Sequence, residues 1–129
     1  MAKYVREYFK YHDCNTLRRE YFEINGKKEG KCIEYSRGLQ IDTIYYYVNG
    51  RKNCHCKSYD LKGYVHVKSN YINGSQDGIV TVYYDDGSLF RLRSVINGLG
   101  NGEDKIYDIN GKLIGHEICE NGRSVKRLL

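Results

Sequence analysis

Apolar and polar residues alternate along this chain in short runs, and turn dipeptides separate the runs at a fixed interval. Asn-Gly recurs every 24 residues, at 25–26, 49–50, 73–74, 97–98 and 121–122. Glycine dipeptides also lie about midway between them, at Arg37-Gly38, Lys62-Gly63, Asp86-Gly87 and Asn110-Gly111. Runs of about 8 to 10 residues rich in Tyr, Ile and Val between such turns are typical of β-strands. The pattern therefore predicts two strands and two hairpin turns in each unit.

Three sets of equivalent positions between the turns keep the same interval. One is all tyrosine: Tyr11, Tyr35, Tyr59, Tyr83 and Tyr107. The second is all aliphatic: Leu17, Ile41, Val65, Leu89 and Leu113. The third comprises Ile24, Val48, Ile72 and Ile96. Because stacked hairpins bury apolar faces that one hairpin cannot, we expect the aliphatic set to form a mostly buried ladder.

Short hairpin turns force neighbouring strands to be antiparallel. The sequence thus predicts an all-β fold: a single-layer antiparallel β-meander ribbon of about five 24-residue β-hairpin repeats. We interpret 1–129 as one domain, with a degenerate N-terminal repeat at about 1–24, regular repeats at about 25–122 and a C-terminal tail at 123–129. The first strand, near 8–11, and the last, near 116–119, are expected at free sheet edges that invite a second copy or a partner's strand.

Composition supports this fold class. Alanine, the best helix former, occurs once, whereas the chain has 14 Tyr and 14 Gly and no Pro or Trp. Plentiful Lys, Asn, Ile and Tyr also indicate an AT-rich genome. No apolar run is long enough to span a bilayer, and residues 1–7 lack an apolar segment, so we expect neither a transmembrane helix nor a signal peptide.

The repeats resemble the variant form of the MORN repeat (membrane occupation and recognition nexus). The residues that carry the resemblance are Tyr-Ile-Asn-Gly-Ser-Gln-Asp-Gly at 71–78, Tyr-Tyr-Asp-Asp-Gly-Ser-Leu at 83–89 and Glu-Ile-Asn-Gly-Lys-Lys-Glu-Gly at 23–30. The second glycine of this motif recurs at Gly30, Gly78 and Gly102, whereas Cys54 replaces it after Asn49-Gly50. The likeness covers about residues 7–122.

The resemblance implies a β-hairpin ribbon that binds proteins or, in some members, lipids, with no shared catalytic residues. Bacterial members often carry antitoxin-like labels, and large DNA viruses hold many such repeats. We therefore expect a non-catalytic interaction or scaffold module, such as a component of a larger assembly like a virus particle. A lipid-surface protein and an antitoxin-like protein that neutralises a partner are the alternatives.

Tyrosines supply the candidate interaction surface. Strand alternation places Tyr46 opposite Tyr45 and Tyr47, so at least one of the three rings should be exposed. The repeated tyrosines have a structural reading, as rings supporting neighbouring hairpins, and a functional one, as an aromatic groove. The candidate residues are Tyr35, Tyr45, Tyr46, Tyr47, Tyr59, Tyr83 and Tyr107.

Cysteine and histidine raise the question of a metal site. Cys54 and Cys56 are separated by a single residue, which is closer in sequence than the usual zinc spacing. The intervening His55 should face the opposite side of the sheet from the two cysteines. Because Cys54 replaces a turn glycine, a metal site with His66 nearby is the minor alternative to unpaired thiols. Cys32 and Cys56 should lie on neighbouring hairpins about 9.6 Å apart, too far for a disulfide. Five unpaired cysteines without an export signal predict a reducing, cytoplasmic location.

Charge and motifs leave little room for catalysis or cofactors. No Ser/His/Asp set or paired glutamate stands in a recognisable context, and the Gly-rich stretch at 98–102 lies in a hairpin turn, so we expect no cofactor. The net charge of +5 is compatible with an anionic partner. Basic residues are dispersed rather than clustered, which makes nucleic acid an unlikely partner and leaves an anionic membrane surface as the stronger alternative to a protein.

Overall fold

A computed structural model of the chain describes residues 1–11, 14–36 and 38–129. These residues form strands and turns and no helix. The strands are β1 Lys3–Tyr11, β2 Cys14–Ile24, β3 Lys27–Tyr35, β4 Ile41–Val48, β5 Arg51–Lys52, β6 Cys54–Tyr59, β7 Val65–Ile72, β8 Ser75–Gln76, β9 Gly78–Tyr83, β10 Leu89–Ile96, β11 Leu99–Tyr107, β12 Leu113–Glu120 and β13 Arg123–Arg127.

The strands form one open antiparallel sheet in the order β1-β2-β3-β4-β6-β7-β9-β10-β11-β12-β13. The two-residue strands β5 and β8 pair with β4 and β7. Strand order thus follows the chain, which confirms the predicted single-layer β-meander. The last strand, β13, falls within the segment that the sequence leaves as a tail.

The Asn-Gly pairs make the turns that their sequence predicts. All five asparagines have φ between 50° and 53°, and each following glycine is also in the left-handed region. A two-residue hairpin turn of the I′ type requires positive φ at both central positions, which Asn and Gly tolerate best. The turn dipeptide therefore follows from local backbone sterics alone.

The midway turns close around a single left-handed residue. Gly63, Gly87 and Gly111 have φ of 87° to 88°, and each donates its N–H to the carbonyl three residues earlier at 3.0 Å. In the second repeat Leu39, not Gly38, takes this conformation, with φ of 62° and an N–H that donates to the Ser36 carbonyl at 3.1 Å. The turn expected at Arg37-Gly38 is therefore centred one residue later. Arg37 lies outside the described residues.

Hydrogen bonds join each Asn-Gly turn after the first to the unit before it. The glycine N–H donates to a carbonyl 22 residues earlier: Gly50 to Lys28 at 2.9 Å, Gly74 to Lys52 at 2.8 Å, Gly98 to Gln76 at 2.8 Å and Gly122 to Gly100 at 2.9 Å. Side chains reinforce this link, because the Asn49 N–H donates to Glu29 Oε1 and the Asn121 N–H to Asn101 Oδ1 at 3.0 Å. The turns therefore form a continuous hydrogen-bonded row along one margin of the ribbon.

The two faces of the sheet differ in burial. The packed face holds the buried side chains of the described residues: Tyr21, Cys32, Thr43, Tyr47, Cys56, Ser69, Val95 and Asp104. Its centre is a cluster of Tyr21, Cys32 and Tyr47, against which Val5 and Tyr45 pack. The open face, on the opposite side, carries the alternating residues such as Phe22, Ile44, Tyr46 and Ile79. Because the sheet has no second layer, the buried side chains of the packed face are covered by their neighbours within the same sheet.

The aliphatic ladder expected to be buried is not. Ile41 is 40% exposed, and Leu17, Val65, Leu89 and Leu113 are only half-buried. Ile41, Val65, Leu89 and Leu113 are the first residues of their strands, beside the midway turns. At that margin of a single-layer sheet a side chain has neighbours on too few sides to be covered. Burial is concentrated instead at the strand centres.

The edges of the sheet also differ from expectation at one end. β1 forms a free edge, as predicted, but Ile118 and its neighbours do not, because β12 pairs with β13. The Leu128 N–H extends this pairing by donating to the His116 carbonyl at 2.8 Å. β13 is therefore the second edge. Basic residues lie on both edges: Lys3, Arg6 and Lys10 on β1, and Arg123, Lys126 and Arg127 on β13.

Candidate interaction surface

The triple tyrosine is divided between the two faces, as strand alternation predicts. Tyr47 is buried and Tyr45 half-buried on the packed face, whereas Tyr46 on the open face is 40% exposed. The rings of Tyr45 and Tyr47 meet edge-on with centroids 6.3 Å apart. Only Tyr46 therefore presents a ring to solvent at this point of the sheet.

Lysines cover the tyrosines of the packed face in a repeated arrangement. Lys28 Nζ lies 5.0 Å from the Tyr21 ring centroid and 5.1 Å from that of Tyr47. One unit later, Lys52 Nζ lies 3.9 Å from the Tyr45 centroid and 5.4 Å from that of the Tyr71 ring. These distances fall in the range of cation–π contacts.

Burial among lysines and neighbouring rings affects the acidity of the packed-face phenols. Burial raises the pKa of Tyr45 to about 12, and burial likewise raises the pKa of Tyr47 to about 12. Desolvation is the largest cause in both cases, because a phenolate is poorly solvated there. Tyr47 is thus covered within the packed face, whereas Tyr45 keeps part of its surface accessible.

The repeated tyrosines are half-buried and do not form one continuous groove. The Tyr35 hydroxyl donates to Glu20 Oε2 at 3.2 Å, and Lys68 Nζ lies 5.6 Å from the Tyr83 ring centroid. Tyr107 accepts a hydrogen bond from the Tyr84 hydroxyl at its backbone carbonyl, at 2.7 Å. The side chain of Tyr11 lies outside the described residues. Two pairs of candidates come together: Tyr45 and Tyr47 meet on the packed face, and Tyr46 and Tyr59 line one groove on the open face.

Tyr46 and Tyr59 line a shallow groove of about 270 Å³ on the open face. The other lining residues are Ile44, Cys54, His55 and Lys57. β4 and β6 supply all six side chains, and the groove lies where the two strands pair only at Thr43–Ser58 and Ile44–Lys57. This volume accommodates one or two side chains of a binding partner.

A bulge at Cys54 separates β5 from β6 and shapes this groove. Cys54 has φ of 65°, and the left-handed conformation there matches that of the glycines at the equivalent positions, Gly30, Gly78 and Gly102. The Asn53 N–H donates to the Tyr46 carbonyl at 2.8 Å, and the Cys54 N–H to the Asn53 side-chain oxygen at 3.2 Å. Sequence reasoning missed the groove, although the replacement of glycine by Cys54 marks its position.

The strands on the β7 side of the groove are basic, whereas β4 contributes one acid, Asp42, whose Oδ2 accepts the Thr43 hydroxyl at 3.3 Å. β6, β7 and β9 contain no Asp or Glu. Exposed Lys57 lies directly opposite exposed Lys68 on the neighbouring strand. Asp60, the nearest acidic residue in sequence, accepts the backbone N–H groups of Lys62 and Tyr64 at 2.9 and 3.0 Å. We define Tyr46, His55, Lys57, Tyr59 and Lys68 as the basic patch.

The thiols differ sharply in accessibility. Cys32 and Cys56 are buried, desolvation raises the pKa of each, and both are free, as their spacing predicts. Cys54 is an exposed free thiol at the rim of the groove. Within residues 1–11, 14–36 and 38–129 no group of three or more His, Cys, Asp or Glu side chains is placed to hold a metal ion.

Comparison with known proteins assigns the chain to no group, since no family model matches it and no curated protein is similar to it. The part of the chain that the structure describes contains no helix of the length and apolarity needed to cross a membrane.

Proposed function

We propose that this chain is a non-catalytic interaction module that binds a partner protein on the open face of its β-meander, at the groove around Tyr46. The observation that carries the proposal is the partial exposure of an aromatic ring beside Ile44 and Tyr59 in a concave site. Tyrosines in such sites are favoured anchors of protein interfaces, because one ring supplies apolar area and a polar hydroxyl.

The contrast between the two faces supports the choice of site. On the packed face the tyrosines are covered by lysines and by each other, so folding accounts for their recurrence in successive repeats. On the open face Tyr46 has no such cover among the described residues. The Tyr46 ring is not needed to cover the packed face, so it is available to contact a partner.

We further propose that the chain is a MORN-variant repeat protein acting as a scaffold within a larger assembly, such as the particle of a large DNA virus. The repeat motif and the amino-acid composition support this proposal. The free thiols Cys32, Cys54, Cys56 and Cys119 favour a reducing compartment. The strongly basic edges β1 and β13 oppose end-to-end self-association through electrostatic repulsion.

Selection from a library of random extended peptides displayed on phage tests the proposed function. Immobilised wild-type protein should enrich a set of related peptides, and Tyr46→Ser should abolish the enrichment. The matched control is Tyr64→Ser, which removes another exposed tyrosine, 60% exposed in a midway turn and outside the groove. Tyr64→Ser should retain the selected peptides.

Two results would contradict the proposal. Failure of the folded wild-type protein to enrich any peptide family would exclude this groove as a peptide-binding site. Binding to vesicles of neutral and anionic phospholipid that is lost in Tyr46→Ser, without peptide enrichment, would show instead that the ring inserts into a lipid surface.

A further inference from the structure

We infer that the partner segment is acidic: a stretch of protein rich in Asp and Glu that crosses β6 and β7 and places one apolar side chain in the groove at Tyr46. This inference rests on the proposed function and adds the chemistry of the partner. It is carried by the charges of the basic patch, which the fold brings together and leaves without carboxylate partners among the described residues.

Lys57 and Lys68 carry the argument because they are directly opposed on adjacent antiparallel strands. Like charges in directly opposed positions destabilise a sheet. Their cross-strand neighbours on the far sides are Ile44 and Thr81, neither of which can offset the charge. The sheet therefore maintains two lysines in directly opposed positions at a cost to folding, which is typical of a binding site.

In the last complete repeat, an acidic side chain lies beside the basic residues at the same positions and offsets their charge. Glu103, Lys105 and His116 occupy the positions of His55, Lys57 and Lys68, 48 residues further on. Glu103 Oε2 lies 3.3 Å from Lys105 Nζ, and Glu103 Oε1 lies 3.4 Å from His116 Nε2. The hydrogen bond from Lys105 is the largest cause that lowers the pKa of Glu103.

His55 stands where that repeat has the neutralising glutamate. A partner carboxylate placed over Lys57 and Lys68 would restore the arrangement seen around Glu103, with the acid supplied by a second molecule. Exposed His55 adds a polar ring beside Lys57, whereas His66 Nδ1 already lies 3.2 Å from the Tyr83 carbonyl oxygen, to which it donates. The partner is thus complementary to the basic patch in charge as well as in shape.

An acidic protein segment fits these residues better than a nucleic acid does. Single-stranded nucleic acids are held by successive bases stacking on successive exposed rings. Of the two tyrosines in the basic patch, Tyr46 is exposed and Tyr59 is half-buried, and Lys68 Nζ already lies 5.6 Å from the centroid of the neighbouring Tyr83 ring. The groove instead offers aliphatic Ile44 and a volume suited to one apolar side chain.

The decisive variant is the double substitution Lys57→Gln/Lys68→Gln, and its matched control is Lys105→Gln/Lys112→Gln. Both remove two positive charges, but the control removes them from the last repeat and its midway turn. We expect peptides selected on wild-type protein to be enriched in Asp and Glu relative to the library. We expect the same selection on the Lys57→Gln/Lys68→Gln protein to lose that enrichment.

Direct binding measures the same effect. The probe is a fluorescein-labelled peptide with six Glu residues around a central Phe, and the control peptide has Gln at all six positions. The double variant should bind the acidic peptide about tenfold more weakly than wild type, which corresponds to the loss of two solvent-exposed ion pairs. The Lys105→Gln/Lys112→Gln protein should stay within about twofold of wild type, and added salt should weaken only the acidic peptide.

Thermal unfolding separates loss of binding from loss of fold. Because the like-charge pair destabilises the sheet, the Lys57→Gln/Lys68→Gln protein should unfold at the same temperature as wild type or higher. A lower unfolding temperature, or equal weakening by the control substitutions, would overturn the assignment of Lys57 and Lys68.

The outcomes distinguish this inference from the proposed function. Selected peptides that depend on Tyr46 but show no excess of Asp and Glu would overturn the inference and leave the proposed function intact. Absence of any selected peptide would overturn both. Tighter binding of a labelled oligothymidylate than of the acidic peptide, lost in the Lys57→Gln/Lys68→Gln protein, would identify nucleic acid as the ligand and overturn the inference.

Discussion

The packed face is covered differently in the two halves of the ribbon. From β2 to β7 it consists of tyrosines, lysine stems and buried thiols. From β9 to β12 the equivalent positions hold valines and an ion pair: Val95 follows Tyr47 and Tyr71 in the 24-residue series, and Asp104 follows Cys32, Cys56 and Val80. Two unrelated sets of side chains thus cover one repeated backbone.

The ion pair is the main polar feature of the C-terminal half. Arg91 Nε donates to Asp104 Oδ1 at 2.8 Å, and Arg91 Nη2 donates to Oδ2 in a bidentate arrangement. The hydrogen bonds from Arg91 to Asp104 raise the pKa of the guanidinium. The turns and the strand register are thus common to both halves, whereas the packed face is covered by two different sets of side chains.

The largest expected effect concerns the aromatic half. Tyr47→Ala should lower the free energy of unfolding by about 3 kcal/mol, because it removes a buried ring and leaves its neighbours uncovered. Tyr46→Ala, the adjacent substitution on the open face, should cost less than about 1 kcal/mol. Urea unfolding followed by circular dichroism measures both. Equal losses would mean that the two faces do not differ in burial.

The second effect concerns the charged half. Asp104→Ala should lower the free energy of unfolding by about 2 kcal/mol, since it strands the Arg91 guanidinium, and partial exposure of Arg91 limits the loss. Arg91→Val/Asp104→Val copies Val67 and Val80 of the preceding unit. The double variant should be within about 1 kcal/mol of wild type by urea unfolding, because apolar pairs replace such ion pairs well. A double variant less stable than Asp104→Ala would show that the halves are not interchangeable.

The third prediction has the smallest effect at neutral pH. The aromatic half should lose folded-state stability when the pH becomes alkaline. The folded-state pKa of Tyr45 and of Tyr47 is about 12, above the unfolded value of 10, so the folded state binds more protons between these values. The stability that these raised pKa values give to the folded state is therefore fully present below pH 10 and is lost as the pH rises towards 12. Unfolding midpoints in urea across this range should fall less steeply in Tyr45→Phe/Tyr47→Phe than in wild type. An unchanged slope would place these phenols in solvent.

The predictable parts of this structure are those determined by neighbouring residues. Asn-Gly turns depend on the φ preferences of two residues, and the exposure of Tyr46 depends on strand alternation, so both could be derived from the sequence. Leu39 shows the limit of this approach, because the turn keeps its register and forces a leucine into the left-handed region although Gly38 lies beside it.

Features that depend on how neighbouring side chains cover a residue, or on which strands pair with each other, could not be predicted. The burial of Ile41 was wrongly predicted because periodicity does not reveal that a position lies at the margin of a single layer. The edge at Ile118 was wrongly predicted because residues 123–127 are mostly charged, and only pairing with β12 makes them a strand. The groove at Tyr46 depends on the Cys54 bulge, which limits the pairing of β4 with β6 to two residue pairs, and hydrophobic periodicity does not reveal this loss of pairing.

Because the Asn-Gly turns form a hydrogen-bonded row, the length of this molecule can change while its fold stays the same. Each bond runs from one unit to the unit before it, so a duplicated 24-residue unit would present the same donors and acceptors on both sides. Each added unit would extend the ribbon by about 9.6 Å, the width of two strands. Duplication and deletion in whole units can therefore adjust the reach of the molecule to its partner while every existing turn keeps its bonds.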